Sequence, residues 1–409
     1  MCNCAEGGPL MSPHYRFNRM EMAGALGDLG TLLPLAIGMI LINGLNPMGM
    51  FLSIGIYYIL SGMYFGVTTP VQPMKVIGAY AIATSMTPSQ VLASVALMGV
   101  FLLIIGGTNA ITVIGKYTPK PVVRGVQLST GTLLMAQGVK FMIGSSTFQT
   151  LRHMAEPYLT VQHIGPIPIG VVIGVVGGIL TLLLLENKKF PAGLVVVIGG
   201  ILLGLILGTR EGFDQLRIGI YSPKWLPFGI PTGADFAFAL FALVLPQLPM
   251  TIGNAVIADA DLSCEYFGED SKKVTYRSLT LSMALANFLS FAVGGMPLCH
   301  GAGGLAAHYR FGARTAGSNL MIGILFLALA FFLGVHALAV VYLLPMAILG
   351  VLLIFAGAQL ALTIIDLPNR KDLFVALLML GITLASNLAI GFLVGIAVAY
   401  ALKSEKLSV

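Results

Sequence analysis

The stretch Thr69 to Tyr80 reads TPVQPMKVIGAY and follows an apolar run that continues from Met48 to Val67. Pro70 and Pro73 hold a chain extended and cannot donate backbone hydrogen bonds. Proline also suits a first helical turn, so a short helix can begin at or just after Pro73. Its free N–H groups near Met74 and Lys75 together act like about half a positive charge. A second break, GGMPLCHGAGGLAAHY from Gly294 to Tyr309, offers the same chemistry at Pro297 and at Gly301, Ala302, Gly303 and Gly304. Two helix starts facing each other form an anion site built mostly of backbone. Lys75 sharpens the sign. At bilayer depth a lysine costs about 2.5–3.5 kcal/mol on insertion scales and needs a protein carboxylate or a bound anion as partner. Asp28, in GALGDLGTLLPL, is the acid that faces the same break, and a fixed Asp28–Lys75 pair is the plain structural alternative. His300 either packs or faces the anion. Gln72 and Gln247 supply neutral amides, with helix-to-helix bonding as their structural role. Asn254 is read as packing only.

The elements that position these residues follow from composition. The 409-residue chain is 57% hydrophobic and 9% charged, with mean hydropathy +0.93. Soluble domains carry about 25% charged residues, so so few charges imply a polytopic membrane protein. The net charge of +6 lies in short loops and does not suggest nucleic acid. Cys2, Cys4, Cys264 and Cys299 form neither a zinc pattern nor a disulfide framework. The first apolar helix is long and lacks a small-residue cleavage site, so no cleavable signal is expected.

About fourteen apolar segments run from 20–42 to 388–404. Those starting near Met74 and Gly301 are too short to cross alone, and the last two form a tight pair. With the N-terminus in the cytoplasm, 16 Lys and Arg fall in cytoplasmic segments and 5 in outer ones, with Lys75 inside the membrane. The chain also looks duplicated. GALGDLGTLLPL is echoed by LVLPQLPMTIGNAVIA (Leu243 to Ala258), and each half breaks two helices later. An odd number of spans per half makes the repeat inverted. The expected fold is therefore all-α, seven plus seven spans with two half-helices. Its parts are a tail at 1–16, a first repeat at 17–208, an outer linker at 209–234, a second repeat at 235–404 and a tail at 405–409. The acidic run Asp259 to Asp270 reads as a solvated cytoplasmic loop, Arg310 and Arg314 as a cytoplasmic anchor, and 144–163 as an outer loop without chemistry of its own.

GDLGTLLPL, PVQPMK, LPQLPMTIGNAVIA and MPLCHGAGGLAAHYRFGART resemble the signatures of MOT-type molybdate transporters, distant relatives of sulfate permeases and nucleobase–ascorbate transporters. The resemblance runs from about Phe17 to the last helix. It implies a core domain moving against a gate domain, molybdate as substrate, and tungstate and sulfate as mimics. The STAS domain of sulfate permeases is not expected after the last helix. A tetrahedral dianion suits two opposed helix starts plus Lys75. A nucleobase would want a carboxylate where Pro246-Gln247-Leu248-Pro249 stands.

The reading is thus a secondary importer of molybdate in the plasma membrane, with both termini cytoplasmic. The expected anion contacts are Asp28, Gln72, Pro73, Met74, Lys75, Gln247, His300, Gly301 and Ala302. Protons, lipid and a second copy of the chain as a homodimer are the further partners carried forward; no cofactor or metal is expected. A sulfate or other oxyanion permease is the first rival. A membrane enzyme or sensor is the distant one, since HExxH, paired membrane aspartates and a nucleophile elbow are all missing from the sequence.

Overall fold

The computed structural model describes residues 15–108, 110–111, 119–187, 191–208 and 216–404. Most of the N-terminal tail, the tail 405–409, part of the 209–234 linker, and Cys2, Cys4, Lys116, Lys188, Lys189, Arg210 and Lys406 lie outside the described residues.

The two breaks meet. Asn46 caps the helix Pro47–Phe65, its side chain accepting from the N–H groups of Met48 and Gly49. That helix ends on Gly66 in the left-handed region (φ 78°), and the helix Tyr276–Val293 ends in the same way on Gly294 (φ 74°). A left-handed residue stops each helix at little cost because glycine has no Cβ. The extended stretches that follow pair antiparallel, Gln72 opposite Cys299 and Pro73 opposite Leu298. A short helix then begins on each side: Lys75–Ala83, the first half-helix, and Ala302–Phe311, the second.

Extended backbone this deep in an apolar molecule must find partners for its polar groups. Two asparagines supply them. Asn319 accepts from Thr69 N–H at 3.0 Å and donates to Thr69 C=O at 2.7 Å. Asn287 donates to Leu298 C=O at 2.8 Å and accepts from Leu298 N–H at 3.1 Å. Met74 N–H reaches Pro297 C=O at 2.9 Å.

The helices around the breaks pack crosswise. Ala316–Leu333 lies on Pro47–Phe65, and Pro88–Thr108 lies on Tyr276–Val293. Lys120–Ile143 runs along Met346–Ala361. Those two backbones touch so closely that a Cβ on Gly138 or Gly350 would stand 2.5 Å from the other's carbonyl oxygen. Small residues permit such contact between helices in lipid. The last two helices, Arg370–Ala385 and Leu388–Ala401, pack as the expected pair.

Among the described residues, five helices are long and apolar enough to cross a membrane, or six if the bent pair Arg19–Gly27 and Leu29–Leu41 counts as one. That bend, 48° at Asp28, departs from the single first helix expected. Pro34 cannot donate to the carbonyl one turn before it, which weakens the helix there.

The second half departs further. Gly233–Ser271 is one continuous 39-residue run, with π-helical stretches at Leu240–Val244 and Thr251–Ala258 flanking Pro246 and Pro249. Each proline removes a donor, and the wider turn is one way to accommodate the loss. The acidic run is therefore helical at its start rather than a loop, and it is exposed at Asp261, Glu265, Glu269 and Asp270 but buried at Asp259. Asp259–Phe267 is helix, with Asp259, Ala260 and Ser263 on its buried side.

The segment 144–163, expected to be an outer loop without chemistry of its own, holds a buried acid. Glu156 is buried there, and its two oxygens accept from Met346 and Ala347 N–H at 2.8 and 2.7 Å. It caps the helix Met346–Ala361. Burial pushes the Glu156 carboxyl up to about 7, against the pull of the two N–H bonds. Arg310 donates to Glu186 C=O at 2.9 Å, and the Arg314 guanidinium lies 3.5 Å from the centre of the Tyr309 ring.

Candidate functional site

The starts of the two half-helices are finished differently. Met74 caps the first with backbone alone, and its own N–H is taken by Pro297. Beyond Lys75 N–H, Gln247 covers two donors: its Oε1 accepts from Val76 N–H at 2.9 Å and Ile77 N–H at 3.3 Å, while its Nε2 donates to Thr251 Oγ1 at 2.9 Å. Gln247, expected as an anion contact, is spent here as a helix cap. The second half-helix has Gly301 as its N-cap, which has no side chain to cap the first turn, and the first N–H groups of a helix have no partner within it. The less covered positive end is thus the one at Gly301 and Ala302.

Lys75 serves that end. Its Nζ lies by Gly303, 3.8 Å from where a Cβ on that residue would stand. No ion pair joins it to Asp28; the described ion pairs are Lys120–Asp366, Arg124–Asp366 and Lys272–Glu269. Asp28 is held instead by Gln72, whose Nε2 donates to Asp28 Oδ1 at 2.6 Å. The remaining oxygens of this pair, Asp28 Oδ2 and Gln72 Oε1, have no hydrogen-bond partner. They press on the second half-helix, 2.6 and 2.5 Å from the positions of a Cβ on Gly304 and Gly301 respectively. Only glycines at 301 and 304 leave room for them.

Pro73 sits in the strand pair, and Ala302 opens the second half-helix. His300 is placed differently from the anion-facing expectation. Its Nδ1 is bonded to Pro70 C=O at 2.8 Å, and its Nε2 lies 2.7 Å from both Tyr57 Oη and Ser282 Oγ. It is fully buried and braces the break, with no ring nitrogen left to offer.

Asn254, read as packing, belongs with the site. Its Nδ2 lies 3.1 Å from the position of a Cβ on Gly301. It also lines a cavity of about 430 Å³ shared with Lys120, Arg124, Gln127 and Thr363. There Arg124 grips Asp366 with Nε at 2.8 Å and Nη2 at 2.5 Å. Asn254 lies in the widened backbone of Thr251–Ala258, and no sequence pattern announces a π-helix. Asp259 was missed as well. It is close enough to Asp28 for their charges to interact, so the fold brings together two buried aspartates that lie far apart in the sequence.

A family model described as the molybdate transporter of the MFS superfamily matches residues 20–134 and 239–360. The chain belongs to this family. Molybdate transporter 2 of Arabidopsis thaliana is 30% identical over 420 residues, covering 95% of this chain and 88% of the relative. Molybdate transporter 1 of the same plant is 29% identical, covering 93% and 87%. This family member is a transporter, not an enzyme. Its fold is similar to that of two solved transporters. The transmembrane domain of the cyanobacterial bicarbonate transporter BicA aligns with TM-score 0.64 at 16% identity, over 94% of this chain and 98% of that one. The murine Slc26a9 anion transporter, in the inward-facing state, aligns with TM-score 0.63 at 15% identity, over 95% and 69%. The superfamily label in the family's description therefore stands beside a fold similar to BicA and Slc26a9.

Proposed function

We propose that this protein is a secondary active transporter that imports molybdate, held between the starts of the two half-helices. The observation that carries the reading is the antiparallel pairing of the two breaks, with Lys75 of one half beside Gly303 of the other. Backbone N–H groups supply positive potential without the desolvation cost of a full charge. The anion sits nearer Gly301 and Ala302 than Met74, because Gln247 already occupies donors of the first half-helix. Gln72, Lys75 and Asn254 close around it. The molybdate names of the relatives favour this anion over others of its shape.

The arrangement we propose has fourteen segments as two inverted halves, 17–208 and 235–404. The crosswise packing and the matched Gly66 and Gly294 stops support it. Lys120–Ile143 and Met346–Ala361 belong to a gate that moves against the half-helix core. Both termini are cytoplasmic and the membrane is the plasma membrane. Import is coupled to protons through Asp28, whose unpartnered oxygen would repel a dianion unless protonated. The second reading, a sulfate permease, shares the charge and shape of the substrate.

The test is uptake into proteoliposomes under an imposed pH gradient, with tungstate, sulfate and uracil as competitors. Molybdate should accumulate, tungstate and sulfate should compete, and uracil should not. Sulfate accumulating in preference to molybdate would hand the site to the rival. Asp28→Asn should abolish the response to the pH gradient; an unchanged response removes Asp28 from the coupling.

A further inference from the structure

Asp259 is the buried acid that the anion site leaves unexplained. Its side chain is 0% exposed and neither carboxylate oxygen has a hydrogen-bond partner. An ionised carboxylate in that condition is strongly disfavoured, and buried polar groups without partners call for a reason. The neighbouring elements bring no cation to it. The second half-helix, which packs on this helix end, carries His308, Tyr309 and Arg310. His308 uses Nδ1 on Thr68 and leaves Nε2 without a partner, Tyr309 stacks on Tyr266, and Arg310 reaches Glu186 C=O. The turn at Gly268–Ser271 carries Glu269 and Asp270, and Lys272 beyond it pairs with Glu269. From farther along the chain, Asp28, Tyr57 and Cys299 lie close enough to feel the charge of Asp259. The Tyr57 hydroxyl is already engaged with His300. Asp259 therefore lies within electrostatic reach of a second carboxylate, and among the described residues no Lys or Arg forms an ion pair with either one.

The two acids differ. Asp28 accepts an N–H from Gln72, which favours its ionised form, whereas Asp259 has no donor at all. We propose that Asp259 is a second proton-binding carboxylate of the transport cycle, loaded when the oxyanion binds. This rests on the reading of the half-helix starts as an oxyanion site. A dianion arriving there raises the proton affinity of both aspartates, and by reciprocity a proton on Asp259 raises the affinity for the anion. The proton passes from water on the loading side to a carboxylate oxygen of Asp259 and returns to water where the anion is released. No other bond changes.

Calorimetry of molybdate binding to the purified full-length protein, in buffers of different ionisation enthalpy, counts the protons taken up per anion. The wild type should take up protons and Asp259→Asn fewer. The variant should also keep molybdate–molybdate exchange in proteoliposomes while losing accumulation driven by a pH gradient. Equal proton uptake by variant and wild type overturns the assignment. Failure of the wild type to bind molybdate instead overturns the oxyanion reading beneath it. If the variant does not fold, infrared difference spectra of the wild type decide. A buried protonated carboxyl band that grows on molybdate binding supports the proposal, and its absence overturns it.

Discussion

Lys75 and Gln247 illustrate how a single side chain sets the character of a backbone site. Gln247 satisfies donors on one half-helix, and Lys75 extends across to the start of the other. The positive potential is therefore gathered at the end that lacks a cap. A hydrogen bond to a charged group is worth about 1.5–3 kcal/mol. Lys75→Ala should accordingly weaken molybdate binding on the order of ten- to hundredfold, read by calorimetry on purified protein. Lys75→Arg should not restore it, because the planar guanidinium is larger and presents its donors in a fixed fork. Wild-type affinity in Lys75→Ala would remove the lysine from the site. Lys75 and Gln72 stood out as candidates because charge and amide are conspicuous beside a double-proline break, and the fold brings both to the second half-helix. His300 was equally conspicuous, yet its partners at Pro70, Tyr57 and Ser282 come from distant parts of the chain.

Helix ends do much of the organising, and side chains far away in sequence finish several of them. Glu156 caps Met346–Ala361, and Glu21 accepts from Thr315 N–H at 3.1 Å just before the helix Ala316–Leu333. The Glu156 carboxyl is raised from 4.5 to about 7 by burial. The folded state then binds the proton more tightly than the unfolded one. The stabilisation is fully present below about pH 4.5 and is lost as pH rises through about 7, an effect on the order of 3 kcal/mol. Thermal unfolding in detergent should therefore show a falling Tm between pH 5 and pH 7.5, in line with that window. Glu156→Gln should flatten that fall. A slope unchanged in the variant would assign the pH dependence to other groups. The capping role could not be read from the sequence, since 190 residues separate Glu156 from Met346.

At the scale of the whole molecule, the halves interlock: helices of the first pack on helices of the second around a paired pair of breaks. A cavity lies between Lys120–Ile143 and the widened run Thr251–Ala258, lined by Arg124 and Asn254, and an inward-facing and an outward-facing state would follow if the Lys120–Ile143 and Met346–Ala361 unit shifted against that run. The fourteen-segment arrangement places both tails on the cytoplasmic side. Single cysteines introduced at the two ends should react with an impermeant label only in inverted or permeabilised membranes. Labelling of either end from outside intact cells would refute that arrangement.

Composition by itself decided that this is a membrane protein, and the two proline–glycine breaks decided where its half-helices begin. Both signals are local: hydropathy accumulates along one segment, and proline and glycine act on their own backbone. Tertiary structure alone decided that the breaks pair strand to strand, that Gln247 caps one helix start while Gly301 leaves the other open, and that Asp259 is buried near Asp28. Asp259 reads as solvated with the rest of its acidic run until its neighbours are known, because burial is a property of what packs against a residue. Asp259 lies on a helix face covered by elements that the chain reaches only after turning back on itself.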